Sequence, residues 1–254
     1  MKLGIMGFGH IGQAFVKGLL NKGLVDKEDI YITARSAETL DNAKSTFCIN
    51  VCVDNNELIK VSDLIIVCLS SRVFFEEAKT FDLYSLNNKV VVSFMAGVKI
   101  VAIKEMLGDI SVVRAMPNLG MADNDGVTAY TDTDHSELIR LFNGLGYSFM
   151  VDESDIEKVM ALASCGVGFA AYILACFNKI GLEYGFDQET TMMIVKNIFN
   201  NALKSDDHEK LVNSVATKGG ATEAGVNSFN EDKLYDVIHN GVNKAYLKMT
   251  KGDR

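Results

Sequence analysis

The sequence has no tryptophan, a single proline (Pro117) and no run of basic residues. One proline and no stretch rich in proline, glycine or serine leave nothing that reads as an extended linker. Basic residues are outnumbered, 25 Lys and Arg against 33 Asp and Glu, for a formal net charge of −8. That balance offers no electrostatic footprint for a nucleic acid, and none is expected as a partner. Long hydrophobic runs are also missing from a reading of contiguous residues. Val61–Leu69 is typical of the longest and falls far short of the ~20 residues that cross a bilayer. The N-terminus lacks the order of basic region, apolar region and small-residue cleavage site of a secretory leader. A soluble, cytoplasmic protein with no membrane partner is the expectation. The five cysteines, Cys48, Cys52, Cys68, Cys165 and Cys176, are odd in number. Only Cys48 and Cys52 are neighbours, without the second pair or histidine a metal site needs, so all five read as reduced and no metal is expected.

What the 254 residues do contain is apolar material, 48% of the chain against 23% charged. That is enough for one sizeable core or two. In the first 150 residues short β-branched runs alternate with helical patterns. Lys2–Met6, Ile30–Thr33, Leu64–Leu69, Val90–Phe94, Val112–Ala115 and Gly126–Thr131 read as strands, and the rhythm predicts a parallel sheet with helices on both faces. A first helix is expected over about Ile11 to Lys22, with Ala14, Phe15, Gly18 and Leu19 on one face and Gly23 as terminator. Beyond Val151 every apolar pattern has the helical period, as in Ile156, Val159, Met160 and Ala163, in Tyr172 to Ile180, in Met192 to Ala202 and in Leu234 to Met249. The expected division is residues 1–151 and 152–254. Apolar faces this extensive in the second part predict a homodimer or higher homo-oligomer.

Gly7-Phe8-Gly9-His10-Ile11-Gly12 follows the first strand and opens the first helix. Gly7 permits a tight turn, Gly9 lets the backbone approach a pyrophosphate, and Gly12 lets helix and strand pack closely, while the helix start offers free N–H groups to phosphates. In this setting the motif predicts a Rossmann-type dinucleotide-binding domain. The second strand runs out into Thr33-Ala34-Arg35-Ser36, where an NAD-selective site would carry a carboxylate to bind the ribose hydroxyls. Arg35 can pair with a 2′-phosphate and Ser36 can donate to it, which favours NADPH over NADH.

Longer segments, in order along nearly the whole chain, resemble the pyrroline-5-carboxylate reductases of proline biosynthesis. Thr33-Ala34-Arg35-Ser36 is similar to that family's Asn-Arg-Ser turn. Met95-Ala96-Gly97-Val98 is similar to its Ala-Ala-Gly-Val, and Val113-Arg114-Ala115-Met116-Pro117-Asn118 to its Val-Arg-Ala-Met-Pro-Asn. Val151-Asp152-Glu153 followed by Val159-Met160-Ala161-Leu162 resembles the entry into its dimerisation helices. Thr217-Lys218-Gly219-Gly220-Ala221-Thr222 resembles its substrate loop, with Gly225 in place. The resemblance implies an α/β cofactor domain followed by an all-helical dimerisation domain. It also implies reduction of 1-pyrroline-5-carboxylate to proline, with cofactor contacts extending to Leu69, Ser70, Ala96, Gly97 and Asn118. It further implies that Thr217 and the N–H groups near Gly219 and Gly220 hold the substrate carboxylate while the Thr222 hydroxyl contacts the ring nitrogen. On the residues alone, the loop reads as a helix connection with exposed N–H groups able to bind a carboxylate.

The chain departs from the family pattern at Ala163-Ser164-Cys165-Gly166-Val167-Gly168, at Leu69-Ser70 in place of Lys-Pro, at Lys218 in place of proline, and at Glu223 in place of an aliphatic residue. Leu69-Ser70 bears on how the nicotinamide ribose is held, and the other changes bear on which imine is the substrate. Two other readings share part of this pattern. A β-hydroxyacid dehydrogenase shares the layout but needs Lys-x-x-x-Asn on the middle helix, where Lys179 is followed by Glu183. A divergent member that binds NADP(H) for regulation, without catalysis, is the non-enzyme alternative.

Overall fold

A computed structural model describes residues 1–250. Its strands are β1 (Leu3–Met6), β2 (Ile30–Thr33), β3 (Asn50–Val51), β4 (Leu64–Val67), β5 (Val90–Ser93), β6 (Ser111–Pro117), β7 (Gly126–Tyr130) and β8 (Gly146–Met150). They form one sheet in the order β3-β2-β1-β4-β5-β6-β7-β8, parallel throughout except between β6 and β7. Helices α1 (His10–Asn21), α2 (Ala37–Asn42), α3 (Asn55–Val61), α4 (Ser71–Glu77), α5 (Ile100–Leu107), α6 (Ser136–Gly144) and α7 (Ile156–Val159) accompany it.

β4 shows why the central strands are apolar without a break. Leu64 and Ile66 join Phe15 and Leu19 of α1 and Phe142 of α6 on one face. Ile65 and Val67 join Leu58 of α3, Phe74 of α4 and Ile103 of α5 on the other. A parallel strand covered on both sides has no solvent face to keep polar. Each such side chain contributes about 1.5–3 kcal/mol by burial. Helix α1 ends as expected: Gly23 has φ +60°, and the N–H groups of Gly23 and Leu24 donate to the carbonyls of Leu20 and Leu19, the paired bonds of a Schellman stop.

Two strands were not expected from sequence. β3 is a two-residue edge strand, too short to show any alternation. β8 is half-exposed at the opposite edge and opens on Gly146, whose would-be Cβ lies 2.1 Å from the Gly126 carbonyl oxygen. The reversal at β7 follows from the short connection Leu119–Asp123, which leaves no room for a crossover helix.

Among the described residues, one compact unit comprises residues 1–164 with 246–250, and a second comprises residues 165–245. The first helical turns after Val151 lie in the first unit because Ile156 packs with Met116 of β6 and Ala129 of β7. The second unit holds α8 (Cys165–Glu183), α9 (Gln188–Ala202), α10 (His208–Val215), α11 (Ala221–Glu231) and most of α12 (Leu234–Thr250). Asp187 and Asp207 cap α9 and α10 by accepting from the amides of Thr190 and Lys210, at 2.8 and 2.9 Å. Phe177 and Phe199 meet edge to face at 5.3 Å between α8 and α9.

The expectation about hydrophobic length needs correction. Glu153–Glu183 is a 31-residue helical stretch with an 18-residue window of mean hydropathy 2.0, long and apolar enough to cross a membrane. Ser164, Gly166, Gly168 and Asn178 interrupt its apolar residues and hide the average from a search for unbroken runs. Length and composition alone do not place it in lipid, since helices of soluble proteins pass the same test.

Candidate active site

At the end of β1 the glycine turn has the geometry its spacing predicts. Gly7 has φ +91°. A Cβ on Gly12 would stand 2.5 Å from the Gly7 carbonyl oxygen, whereas one on Gly9 would meet nothing within 4 Å. The middle glycine therefore presents bare backbone to open space while the outer two let strand, turn and helix close on each other. Phe8 sends its ring into the core against Phe47 at 5.5 Å, so only its backbone faces the turn. His10 is exposed and Ile11 half-buried on the first turn of α1.

β2, β1, β4, β5 and β6 run parallel, so the residues after them lie along one edge in the order Arg35 and Ser36, Gly7 to Gly9, Leu69 and Ser70, Ala96 and Gly97, then Asn118. The chain adds strands outward to one side from β1 to β3 and to the other side from β4 on, so a topological switch falls between the parallel neighbours β1 and β4, the crevice where α/β sheets bind ligands. A cleft of about 480 Å³ opens there, and Gly7, Phe8, Gly9, Arg35, Ser36, Leu69 and Ser70 line it. His10, Ile11, Gly12, Ala96, Gly97 and Asn118 are outside its lining. Ser36 accepts from the Thr39 amide at 3.4 Å as the cap of α2, leaving its own hydroxyl proton to donate. Arg35 is exposed and has no acidic partner among the described residues. Burial pushes the Cys68 thiol in the cleft wall well above the usual thiol range, so it stays protonated and uncharged.

Sequence reasoning missed a polar chain in the same cleft. The Thr33 hydroxyl donates to Asn55 Oδ1 at 2.6 Å, and Asn55 Nδ2 donates to Glu77 Oε2 at 3.4 Å. Asn55 opens the helix after β3, and without that strand nothing marked it. Asn118 serves the fold directly: its Oδ1 accepts from the amides of Gly120 and Val127, at 3.2 and 3.1 Å, and its Nδ2 donates to the Ala163 carbonyl at 3.1 Å. Glu157 accepts from Arg114 Nη2 and, at 3.2 Å, from the Gly97 amide, while Glu153 accepts from the Ile100 amide at 2.6 Å. Two carboxylates one helical turn apart thus hold the middle of the loop between β5 and α5 and the start of α5.

In the second unit, Thr217–Gly220 leads into α11. Gly219 has φ +74°, and a Cβ on Gly220 would press on Thr217 Oγ1 at 2.7 Å. The Gly220 amide donates to the Thr217 carbonyl at 2.8 Å, and the Gly219 amide donates to Glu223 Oε2 at 2.7 Å. Both N–H groups expected to bind an anion are therefore engaged. The amides of Ala221, Thr222 and Glu223, at the start of α11, are the ones with no helical acceptor. Thr217 and Thr222 are exposed.

Comparison with known proteins agrees with both halves. Residues 2–97 match the family described as NADP oxidoreductase coenzyme F420-dependent, and residues 153–251 match the family of pyrroline-5-carboxylate reductase dimerisation. Pyrroline-5-carboxylate reductase 2 of Bacillus subtilis is 28% identical over 93% of this chain and 90% of its own. The chain belongs to the pyrroline-5-carboxylate reductase family. The reductase of Staphylococcus haemolyticus is 26% identical over 96% of this chain and 95% of its own. The fold of this family member is also that of the Plasmodium falciparum pyrroline carboxylate reductase solved with NADP bound, at TM-score 0.88 and 22% identity over 99% of this chain and 97% of that one. The Streptococcus pyogenes enzyme superposes at TM-score 0.89 with 21% identity, covering 99% of both chains. The apolar stretch Glu153–Glu183 coincides with the start of the matched dimerisation region.

Proposed function

We propose that this reductase reduces the C=N bond of 1-pyrroline-5-carboxylate with NADPH, giving proline. The observation that carries the reading is the cleft at the β1–β4 crevice, where an open Gly9 backbone and an unpaired Arg35 lie along one wall. Arg35 and Ser36 suit a 2′-phosphate, and the start of α1 beside Gly9 suits a pyrophosphate. The bound dinucleotide supplies the hydride that attacks the imine carbon. The chain's part is orientation: the loop between β5 and α5, fixed by Glu153 and Glu157, borders the nicotinamide end. Thr217 and the free amides of Ala221 and Thr222 hold the substrate carboxylate. The Thr222 hydroxyl holds the ring nitrogen, which takes its proton from water as the carbon gains the hydride.

Residues 1–151 act in this reading as the cofactor part and residues 152–254 as the substrate and dimerisation part. Helices α8, α10, α11 and α12 bury no residue within one chain, and Tyr172, Met193 and Val237 are 73%, 63% and 62% exposed. A second copy covers this surface in a homo-oligomer, in keeping with the matched dimerisation family. All five cysteines are free thiols, which suits a reducing, cytoplasmic compartment.

The test is NADPH oxidation with a panel of cyclic imines that includes 1-pyrroline-5-carboxylate and its six-membered homologue. Turnover strongest on the five-membered carboxylate is expected. No turnover on any imine, together with tight NADPH binding by calorimetry, would replace this reading with a cofactor-binding, regulatory one.

A further inference from the structure

We infer that Glu223 is a specificity-determining residue of the Thr217–Thr222 loop, an internal carboxylate that competes with the carboxylate of an incoming ligand. The inference rests on the reading of that loop as the carboxylate site.

Glu223 Oε2 sits 2.7 Å from the Gly219 amide. It holds the position an anion would take to use the donors of this loop. The loop is built for such an acceptor: Gly219 needs its positive φ to turn its N–H outward, and nothing lies within 4 Å of its would-be Cβ. Residue 223 stands three positions after the Gly220 cap, in the first turn of α11, from which a glutamate side chain reaches back over the helix start. An aliphatic residue there, as in the family pattern, leaves the Gly219 amide to the ligand and adds no charge.

Two consequences follow for binding. A ligand carboxylate that uses the Gly219 amide must first displace Glu223. One that uses only Ala221 and Thr222 sits beside a like charge, which weakens it. Lys218, the other departure in this loop, is exposed and makes no ion pair among the described residues. The cradle therefore disfavours a ligand whose only anchor is one carboxylate, relative to the same ring without it.

Calorimetric titration of the full-length, NADP⁺-loaded protein with L-proline and with pyrrolidine, the same ring without the carboxylate, tests this. Glu223→Gln keeps an oxygen for the Gly219 amide and removes the charge, and Glu223→Val removes both. Both variants are expected to bind L-proline on the order of tenfold more tightly than wild type, with no gain for pyrrolidine. L-proline binding that is unchanged, weakened or undetectable in Glu223→Gln overturns the inference, as does an equal gain for pyrrolidine. The functional reading fails separately: if no imine is reduced by wild type or variant while the proline gain is present, the loop is an anion site gated by Glu223 on a protein that is not this reductase.

Discussion

Glu157 bonds two partners from different strands at once, the buried guanidinium of Arg114 on β6 and the amide of Gly97 in the loop after β5. Arg114 is 1% exposed, its Nη1 donates to Glu153 at 3.4 Å, and its Nε has no hydrogen-bond partner among the described residues. Met249, in the last turn of α12 and in the same compact unit, also approaches this loop: a Cβ on Gly97 would meet its carbonyl oxygen at 2.6 Å. Glu157 thus ties fold stability to the shape of the loop after β5, which borders the nicotinamide in the proposed function.

Glu157→Ala leaves a buried guanidinium with only the longer, partly exposed contact to Glu153. A loss of roughly 3–5 kcal/mol is expected, as when one partner of a buried pair is removed. Urea denaturation would measure it. Glu157→Gln keeps an acceptor for the Gly97 amide, so its surviving fold should bind NADPH nearly as well as wild type despite lower stability. A Glu157→Ala protein as stable as wild type would show that the pair contributes nothing.

Gly9 and Gly12 separate binding from folding. Gly9→Ala puts its methyl into open space at φ −80°, so the melting temperature should stay within a degree or two, on the order expected for an unstrained surface change. NADPH affinity should fall by at least about tenfold, because the methyl stands where a pyrophosphate approaches. Gly12→Ala meets the Gly7 carbonyl oxygen at 2.5 Å and should cost about 1–3 kcal/mol of stability. Thermal melts and NADPH titrations of both variants check the contrast; equal effects of the two on stability would refute it.

Much of the first domain was legible because its signals are local. Three glycines at fixed spacing after an apolar run demand a strand, a turn and a helix start, and Gly7, Gly9 and Gly12 each show the geometry demanded. Arg35 was legible as a cleft residue because it directly follows β2, the strand beside β1. β3 and β8 were not, since an edge strand of two residues and one with both faces half-wet carry no period. The Arg114–Glu157–Gly97 link was hidden for another reason: its two bonds join residues 43 and 60 positions apart, and no pairwise spacing announces a buried ion pair. Glu223 stood out as a departure, but only the fold shows its carboxylate turned back on the Gly219 amide.

Arg35 sets the next expectation. It occupies the place where a carboxylate would select NADH, and no acidic side chain of the described residues neutralises it. Arg35→Asp should raise the NADPH KM on the order of tenfold to a hundredfold, the worth of a charge-assisted phosphate contact of about 1.5–3 kcal/mol. The NADH KM should change far less, so the preference narrows or reverses. Initial rates with both cofactors decide it, and a variant with wild-type KM for NADPH would remove Arg35 from the site.

Thr222 carries the last prediction. Its amide lies at the start of α11 and its side chain is exposed, with no hydrogen bond from the hydroxyl to another described residue. In the proposed reaction that hydroxyl meets the ring nitrogen as charge redistributes from the imine to the amine, so its bond strengthens in the transition state. Removing such a bond costs about 1–3 kcal/mol, or roughly tenfold to a hundredfold in kcat/KM. Thr222→Ala should lose that much with 1-pyrroline-5-carboxylate while the NADPH Kd stays within about twofold, because the cofactor cleft lies in the other compact unit. Thr222→Ser, which restores the hydroxyl, should recover most of the rate. If alanine and serine behave alike, the hydroxyl takes no part in the chemistry and the loop holds the substrate through its backbone alone.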